Sequence, residues 1–378
     1  MISKWVGDIN KFEAVETLQI ALIADSLKGL DENPLFSFLK NNQPELIQHN
    51  LTRKTFVLDG ANPKVELSVF AETLASDISR KLNEDCFMVL PFGRGRILVA
   101  VLDGASSQKE ISGLAPYGIK GSFYVSHLLE SGFRDSVEYG QLSQQESLTA
   151  GDVMTAINGW IFKKMQAIPG VDYGDALAIP GMAASFLLFD ANGEITMAHV
   201  SDTYAAVFYT DGRLEILTPN QNEKFDRKTM ELIEKLASDY GCSLAQVQRI
   251  PEARAIVRAQ IKESFLQKIN KPGGCGILNG MPDLITNKLI FERKIKISEE
   301  LSRVLLFSDG ALLPYMESGI SVESAVRNLA DSLRDNQSNG SVLESGVARL
   351  ESDPEFEAIP RHKHRDDATI IEISLNKQ

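Results

Sequence analysis

Two aspartates in the sequence each follow an unbroken apolar run and precede a glycine. Residues 97–102 lead into Asp103, and residues 304–308 lead into Asp309. Short runs of branched apolar residues are typical of buried strands, so both aspartates are predicted to lie where a strand leaves its sheet. The glycine that follows carries no side chain, which lets a ligand or a second backbone approach each carboxylate closely.

A third acidic position precedes another predicted strand. Asp366 and Asp367 stand directly before residues 368–373, which again read as a strand. Carboxylates from three strand ends would supply the oxygen ligands that hard divalent cations prefer. The sequence therefore predicts a cation site at the rim of a sheet.

Asp-Gly is also a common turn dipeptide, and two further copies are predicted to be plain turns. Asp211 lies between two alternating strand patterns, which is typical of a hairpin. Only three apolar residues precede Asp59, too few for a clear buried strand. Neither aspartate is therefore assigned to the cation site.

The surrounding pattern places strands in hairpins and helices in separate blocks. Residues 185–218 read as a meander with tight turns, whereas residues 117–130, 144–166, 227–267 and 322–333 have helical spacing. This arrangement favours an antiparallel α+β fold over a doubly wound parallel sheet.

We predict two regions in the chain. Residues 1–62 read as a helical N-terminal extension with apolar residues on more than one side, and residues 63–378 read as the main domain. Packing of the extension on its own domain is favoured over packing on a partner.

The composition limits the possible partners. The 378 residues carry a formal charge of −12, which argues against a general nucleic-acid or anionic-membrane binder. The three cysteines form no CxxC motif, so neither a zinc knuckle nor a disulfide framework is predicted. No signal peptide is evident, and no stretch approaches the roughly 18 apolar residues of a membrane span. We therefore expect a cytoplasmic protein; the oligomeric state stays open.

Six short motifs occur in an order that resembles the metal-dependent type 2C (PPM) Ser/Thr protein phosphatases. They lie at residues 80–85, 101–104, 181–186, 199–203, 306–310 and 366–370. The resemblance spans residues 64–375, and it is the order of the motifs that makes it specific. It implies a four-layer αββα sandwich, in which two antiparallel sheets are flanked by helices and a two-metal site lies at one edge.

The resemblance also implies the metal ligands. Asp103 would bridge two Mn²⁺ or Mg²⁺ ions, and the other ligands surround one ion or the other. The implied ligands are the Gly104 carbonyl with Glu84 or Asp85 around one ion, and Asp309 and Asp366 around the second.

Two further residues match family positions outside this core. Arg80, four residues before Glu84, matches the family's phosphate-binding arginine. A guanidinium fork fits two phosphate oxygens. Asp202 matches the acid that serves a weaker third metal. That third site is in doubt, because Ser201 replaces the usual glycine and Leu313 replaces a common acid.

The segment after Asp103 also departs from the family pattern. Many members have His-Gly-Gly or Met-Gly-Gly there, whereas this chain has Ala105-Ser106-Ser107. A histidine general acid is therefore missing from that position. His364 is a hypothetical replacement, although a solvated histidine is the simpler interpretation.

The implied function is that of a phosphoprotein phosphatase in signalling, acting on phosphoserine and phosphothreonine by direct attack of a dimetal-activated water. No enzyme nucleophile is then needed, which agrees with the absence of a Cys-x5-Arg loop and of a nucleophile elbow. Two alternatives stay open: a catalytically weak or inactive binding module of the same fold, and a phosphatase for small phosphoesters.

Overall fold

The computed structural model describes residues 49–58, 64–76, 82–105, 109–115, 119–336, 341–361 and 365–377. Residues 1–48, most of the predicted helical extension, lie outside this part of the chain. The helical prediction is wrong for its end, because His49–Leu58 is a strand that pairs with Val65–Leu74.

The described strands form two sheets in which every pairing is antiparallel. Their bounds are β1 (His49–Leu58), β2 (Val65–Leu74), β3 (Cys86–Pro91), β4 (Ile97–Ala105), β5 (Gly181–Phe189), β6 (Glu194–Val200), β7 (Tyr204–Tyr209), β8 (Leu214–Ile216), β9 (Phe291–Lys296), β10 (Leu301–Phe307) and β11 (Ala368–Lys377). The first sheet has the order β1-β2-β11-β10-β7-β8, and the second has the order β3-β4-β5-β6-β9.

The described helices include the four predicted blocks, and four further helices lie outside them. Their bounds are α1 (Gly121–Gly132), α2 (Val137–Ser143), α3 (Ala150–Met165), α4 (Glu223–Tyr240), α5 (Leu244–Val247), α6 (Pro251–Lys268), α7 (Asp283–Thr286), α8 (Asp309–Leu312), α9 (Val322–Asn336) and α10 (Val342–Glu351). Helices α2, α7, α8 and α10 were not predicted from the sequence. Within the described residues, no helix has the length and apolar character needed to cross a membrane.

Three apolar clusters hold the layers together. Val99 and Val101 of β4 point between the two sheets, while their neighbours Leu98, Ala100 and Leu102 face the layer of α1 and α3. The outer face of the first sheet packs against α9 and α10 in the same way. Both faces of the central strands are thus buried, which explains the unbroken apolar runs of the sequence. The predicted four-layer αββα sandwich is confirmed.

The predicted meander divides between the two sheets. Strands β5 and β6 belong to the second sheet, whereas β7 and β8 belong to the first. The chain crosses at residues 201–203, where Ser201 has φ of +73°. Periodicity alone identifies the strands but does not tell which sheet each one joins.

Helices α4, α5 and α6 form a smaller unit with its own apolar contacts. Ile233 and Leu236 of α4 pack with Val247 of α5 and Ala253 of α6. The unit begins and ends beside the crossover at residues 201–203. Asn222, which precedes α4, donates hydrogen bonds to the side chains of Ser201 and Asp202, and Lys268, which ends α6, donates one to Asn222.

Candidate functional site

Four acidic positions predicted from the sequence lie at the ends of strands in the two packed sheets. Asp85 immediately precedes β3, and Asp103 is close to the end of β4. Asp309 is the first residue of α8, directly after β10, and Asp366 shortly precedes β11. The packing of the sheets brings these positions together at one rim of the sandwich, as electrostatic and backbone contacts between them show.

Asp85 is the most buried member of this acidic rim, with an exposed fraction of 1%. Its Oδ2 atom has no hydrogen-bond partner among the described residues. Burial raises the pKa of the Asp85 carboxyl well above its ordinary value, and the charges of Asp367 and Asp309 raise it further. Hydrogen bonds with the side chains of Ser308 and Asp103 only partly oppose this effect. A charged carboxylate here is therefore unfavourable unless a positive charge lies beside it.

Asp367 fixes the position of the rim through its backbone contacts. Its Oδ1 accepts a hydrogen bond from the Ser76 amide at 2.7 Å, and its Oδ2 accepts one from the Glu84 amide at 2.8 Å. The sequence pointed to the pair at 366–367 but assigned the ligand role to Asp366 alone. The buried acceptor role of Asp367 was missed, since only its tertiary partners reveal it.

Gly104 and Gly310, which follow Asp103 and Asp309, each lie too close to a neighbouring backbone to accommodate a side chain. A Cβ atom at Gly104 would lie 2.6 Å from the Glu84 carbonyl oxygen. A Cβ atom at Gly310 would lie 2.0 Å from the Asp367 carbonyl oxygen and 3.1 Å from Cβ of Asp366. Each Asp-Gly pair thus lies directly against another acidic segment, which explains why glycine follows the aspartate.

The Glu84 carboxylate is held by other side chains. Lys120 Nζ donates to Oε1 at 2.7 Å, and the Ser122 hydroxyl donates to Oε2. Both oxygens of this predicted ligand therefore already have partners.

Asp202 lies in the crossover between β6 and β7, close enough to Asp309 for their charges to interact. Burial raises the pKa of the Asp202 carboxyl, and the Asp309 charge adds to the increase. Asn222 Nδ2 donates to Asp202 Oδ2 at 2.5 Å, and Lys268 Nζ donates to Asn222 Oδ1 at 3.0 Å. Through this relay the helical unit α4–α6 is anchored to the rim.

A buried polar group lies behind the same crossover. His199 Nδ1 is 3.0 Å from the Ser185 hydroxyl, and Nε2 is 2.9 Å from the Pro219 carbonyl oxygen. Nε2 therefore donates to the carbonyl, and Nδ1 accepts from the serine. Complete burial lowers the pKa of His199 to about 4, so the ring is neutral near pH 7.

The donor atoms of the rim fit a divalent cation in type and charge. The carboxylates of Asp85, Asp103, Asp309 and Asp366 offer the hard oxygen atoms that such a cation prefers, and Oδ2 of Asp85 has no hydrogen-bond partner among the described residues. Over the described part of the chain, however, no group of three or more Asp, Glu, His or Cys side chains has an arrangement that could hold a metal ion. The rim thus supplies suitable donor atoms, without a preformed cation site among the described residues.

Several other predicted residues lie outside the described part of the chain, namely Asp59, Arg80, Ser106, Ser107 and His364. Cys86 is buried, and burial raises the pKa of its thiol well above the ordinary value.

A family model described as Protein phosphatase 2C matches residues 77–352. No curated protein matches the chain.

Solved structures with similar folds share little sequence with the chain. A serine/threonine phosphatase from S. agalactiae is 12% identical, with 82% of this chain and 100% of that chain covered and a TM-score of 0.44. A serine-threonine phosphatase 2C from Toxoplasma gondii is 13% identical, with 86% and 99% covered and a TM-score of 0.44. RsbX in complex with magnesium is 12% identical, with 86% and 100% covered and a TM-score of 0.38.

Proposed function

The chain belongs to the protein phosphatase 2C family, and we propose that it is a Mn²⁺- or Mg²⁺-dependent phosphoprotein phosphatase that hydrolyses phosphoserine and phosphothreonine. The observation that carries this proposal is the acidic rim. Asp85 is buried there beside further carboxylates, and one of its oxygens has no hydrogen-bond partner among the described residues. Such a concentration of negative charge is stabilised by bound cations.

Different residues of the rim would hold the two metal ions. Asp103 would bridge two ions, with the Gly104 carbonyl and Glu84 or Asp85 at one of them, and Asp309 and Asp366 at the other. When bound, the ions would lower the pKa of a water molecule and neutralise charge on the phosphate oxygens.

Other residues of the chain would position the phosphate and the backbone that carries the metal ligands. Arg80 would bind two phosphate oxygens through its guanidinium fork. Asp367 holds the backbone on which Glu84 is placed, so the ligands on the two sheets keep a fixed relation. No cysteine nucleophile is required, and the buried thiol of Cys86 is unsuited to be one.

The family resemblance and the free thiols also suggest where the enzyme acts. Cys86, Cys242 and Cys275 are all free, which supports a reducing compartment. We propose a cytoplasmic enzyme of protein signalling on this ground.

A binding module that has lost turnover is the second candidate. Two observations favour it: Glu84 is already paired with Lys120, and Asp202 is already bound by Asn222. A phosphatase for small phosphoesters is the third, and it differs from the first only in substrate.

Hydrolysis of p-nitrophenyl phosphate by the metal-stripped full chain separates these candidates. We expect no hydrolysis with EDTA and a rate that rises to a plateau as Mn²⁺ is added. A rate equal to the blank at saturating Mn²⁺ would establish the binding module. A panel of phosphoserine and phosphothreonine peptides against small phosphoesters then identifies the substrate class by comparing kcat/KM.

A further inference from the structure

Lys120 makes a direct ion pair with a predicted metal ligand. Its Nζ atom lies 2.7 Å from Glu84 Oε1, and the Ser122 hydroxyl donates to Oε2 of the same carboxylate. The Glu84 side chain is 5% exposed and the Lys120 side chain 56% exposed. The carboxylate is therefore buried, while the ammonium reaches it from the solvent side.

The backbone of Glu84 is held on every side. Its amide donates to Asp367 Oδ2 at 2.8 Å, and its carbonyl accepts from the Ser126 hydroxyl at 2.7 Å. Gly104 packs against the same carbonyl, with space for no side chain. Because the main chain is held, a change of ligand at this carboxylate needs movement of the Glu84 side chain or of its side-chain partners.

Lys120 is the partner that is free to move. It has extended backbone (φ −82°, ψ 151°) immediately before α1, whereas Ser122 is fully buried inside the first turn of that helix. Lysine carries a flexible four-carbon stem that returns easily to water, and more than half of this side chain is already there. The ammonium is thus removed at little conformational cost.

We propose that Lys120 is a built-in counter-ion of Glu84 that competes with a divalent ion for this carboxylate. The inference rests on the proposed function, because it concerns the ion on the Glu84 side of the rim. An ion that binds Glu84 displaces the ammonium, so the affinity on this side is weakened by the ion pair that has to break. Asp309 and Asp366 belong to the other ion in the proposed arrangement, so the ion on their side is left unaffected.

The chain offers a matched control for the loss of one positive charge. Lys109 forms an ion pair with Asp175 and is exposed to a similar extent. Lys109→Gln removes the same charge without touching Glu84, and Lys120→Arg keeps the charge at the site.

Titration of the metal-stripped full chain with Mn²⁺ tests the inference, with free Mn²⁺ followed by electron paramagnetic resonance. We expect Lys120→Gln to tighten the weaker Mn²⁺ equivalent by roughly tenfold, the size of a charge-assisted contact of about 1.4 kcal/mol. Lys120→Arg and Lys109→Gln should titrate like the wild type. An unchanged Lys120→Gln titration, or an equal gain in Lys109→Gln, would overturn the inference.

Hydrolysis of p-nitrophenyl phosphate by the same samples keeps the two proposals separate. Mn²⁺-dependent activity in the wild type with an unchanged Lys120→Gln titration defeats the inference and leaves the phosphatase standing. Tighter Mn²⁺ binding in Lys120→Gln, without turnover in any sample, supports the inference and defeats the proposed phosphatase activity.

Discussion

The main-chain amide of Glu84 donates a hydrogen bond to Oδ2 of Asp367 at 2.8 Å, although 283 residues separate them in the sequence. Glu84 leads into β3 of the second sheet, and Asp367 leads into β11 of the first. This bond therefore joins the two sheets at the rim where the acidic residues meet. The geometry of the rim depends on backbone packing as much as on the carboxylates.

Gly310→Ala tests that backbone packing. A Cβ atom there would lie 2.0 Å from the Asp367 carbonyl oxygen, so the segment before β11 has to move. We predict a decrease in the free energy of unfolding of about 2 kcal/mol, the usual size of an overpacking effect. Urea unfolding of the metal-stripped protein measures it.

Gly140→Ala is the matched control for that variant. Gly140 lies in α2, and no atom lies within 4 Å of an added Cβ. Alanine should stabilise this helix by about 0.5–1 kcal/mol. Equal effects of the two substitutions would contradict the role given to Gly310.

Asp103→Asn tests the bridging ligand of the proposed phosphatase. The amide keeps the shape of the side chain but loses the charge that would attract the two proposed cations. We predict a loss of Mn²⁺-dependent p-nitrophenyl phosphate hydrolysis of about a hundredfold or more, with the thermal unfolding temperature maintained.

Asp211→Asn carries the same change at another Asp-Gly pair. Asp211 Oδ1 accepts from the Arg213 amide in the exposed β7–β8 hairpin, where asparagine also serves as acceptor. This variant should hydrolyse the substrate at the wild-type rate. If the Asp103→Asn enzyme were as active as Asp211→Asn, Asp103 would not be a ligand of the proposed metal site.

Ser201 allows a test of the crossover between the sheets. Its φ of +73° is unfavourable for any residue with a Cβ atom, and its hydroxyl accepts from Asn222 Nδ2 at 3.0 Å. Ser201→Ala and Ser201→Gly both remove the hydroxyl, so their difference reports the backbone alone. We predict that the glycine variant is more stable than the alanine variant by about 1 kcal/mol in urea unfolding. Equal stabilities would show that the turn imposes no strain.

His199 makes the stability of the fold depend on pH. The pKa of the folded imidazole is about 4, below the ordinary value of 6.5. Between these values the unfolded chain binds the extra proton, so stability rises with pH from about 4 to 6.5 and changes little outside this window. The shift corresponds to about 3 kcal/mol at most.

A His199→Gln variant isolates this contribution. Glutamine keeps an amide donor for the Pro219 carbonyl but does not titrate. Urea midpoints at pH 4.5, 5.5 and 6.5, measured with EDTA, should rise less steeply in the variant than in the wild type. Parallel slopes would assign the pH dependence to other groups.

The sequence predicted the rim because the strands that form it are buried on both faces. The apolar runs before Asp103 and Asp309 result from this double burial, and the following glycines result from backbone contact. Strand β1 was missed for the opposite reason. It lies at the edge of its sheet, where Arg53, Lys54 and Thr55 are all exposed and no alternation is visible.

The partners of the acidic residues were beyond sequence reasoning. Lys120 approaches Glu84 from the start of α1, and Asn222 approaches Asp202 from the start of α4. No sequence motif predicts either contact, because each one depends on how a helix docks on the sheets. The motifs thus predicted which carboxylates meet, and the packing decides which of them are already paired.

Strand β11 lies between β2 and β10 in the sheet, and this order affects how the protein folds during its synthesis. The Thr369 hydroxyl of β11 donates a hydrogen bond to the Thr73 hydroxyl of β2, although 296 residues separate them in the sequence. Strand β2 is therefore synthesised long before the strand that pairs with it. Until the ribosome releases residues 368–377, β2 and β10 each carry an open edge that another nascent polypeptide can join. Premature termination upstream of this segment would thus yield an aggregation-prone product rather than a smaller folded one.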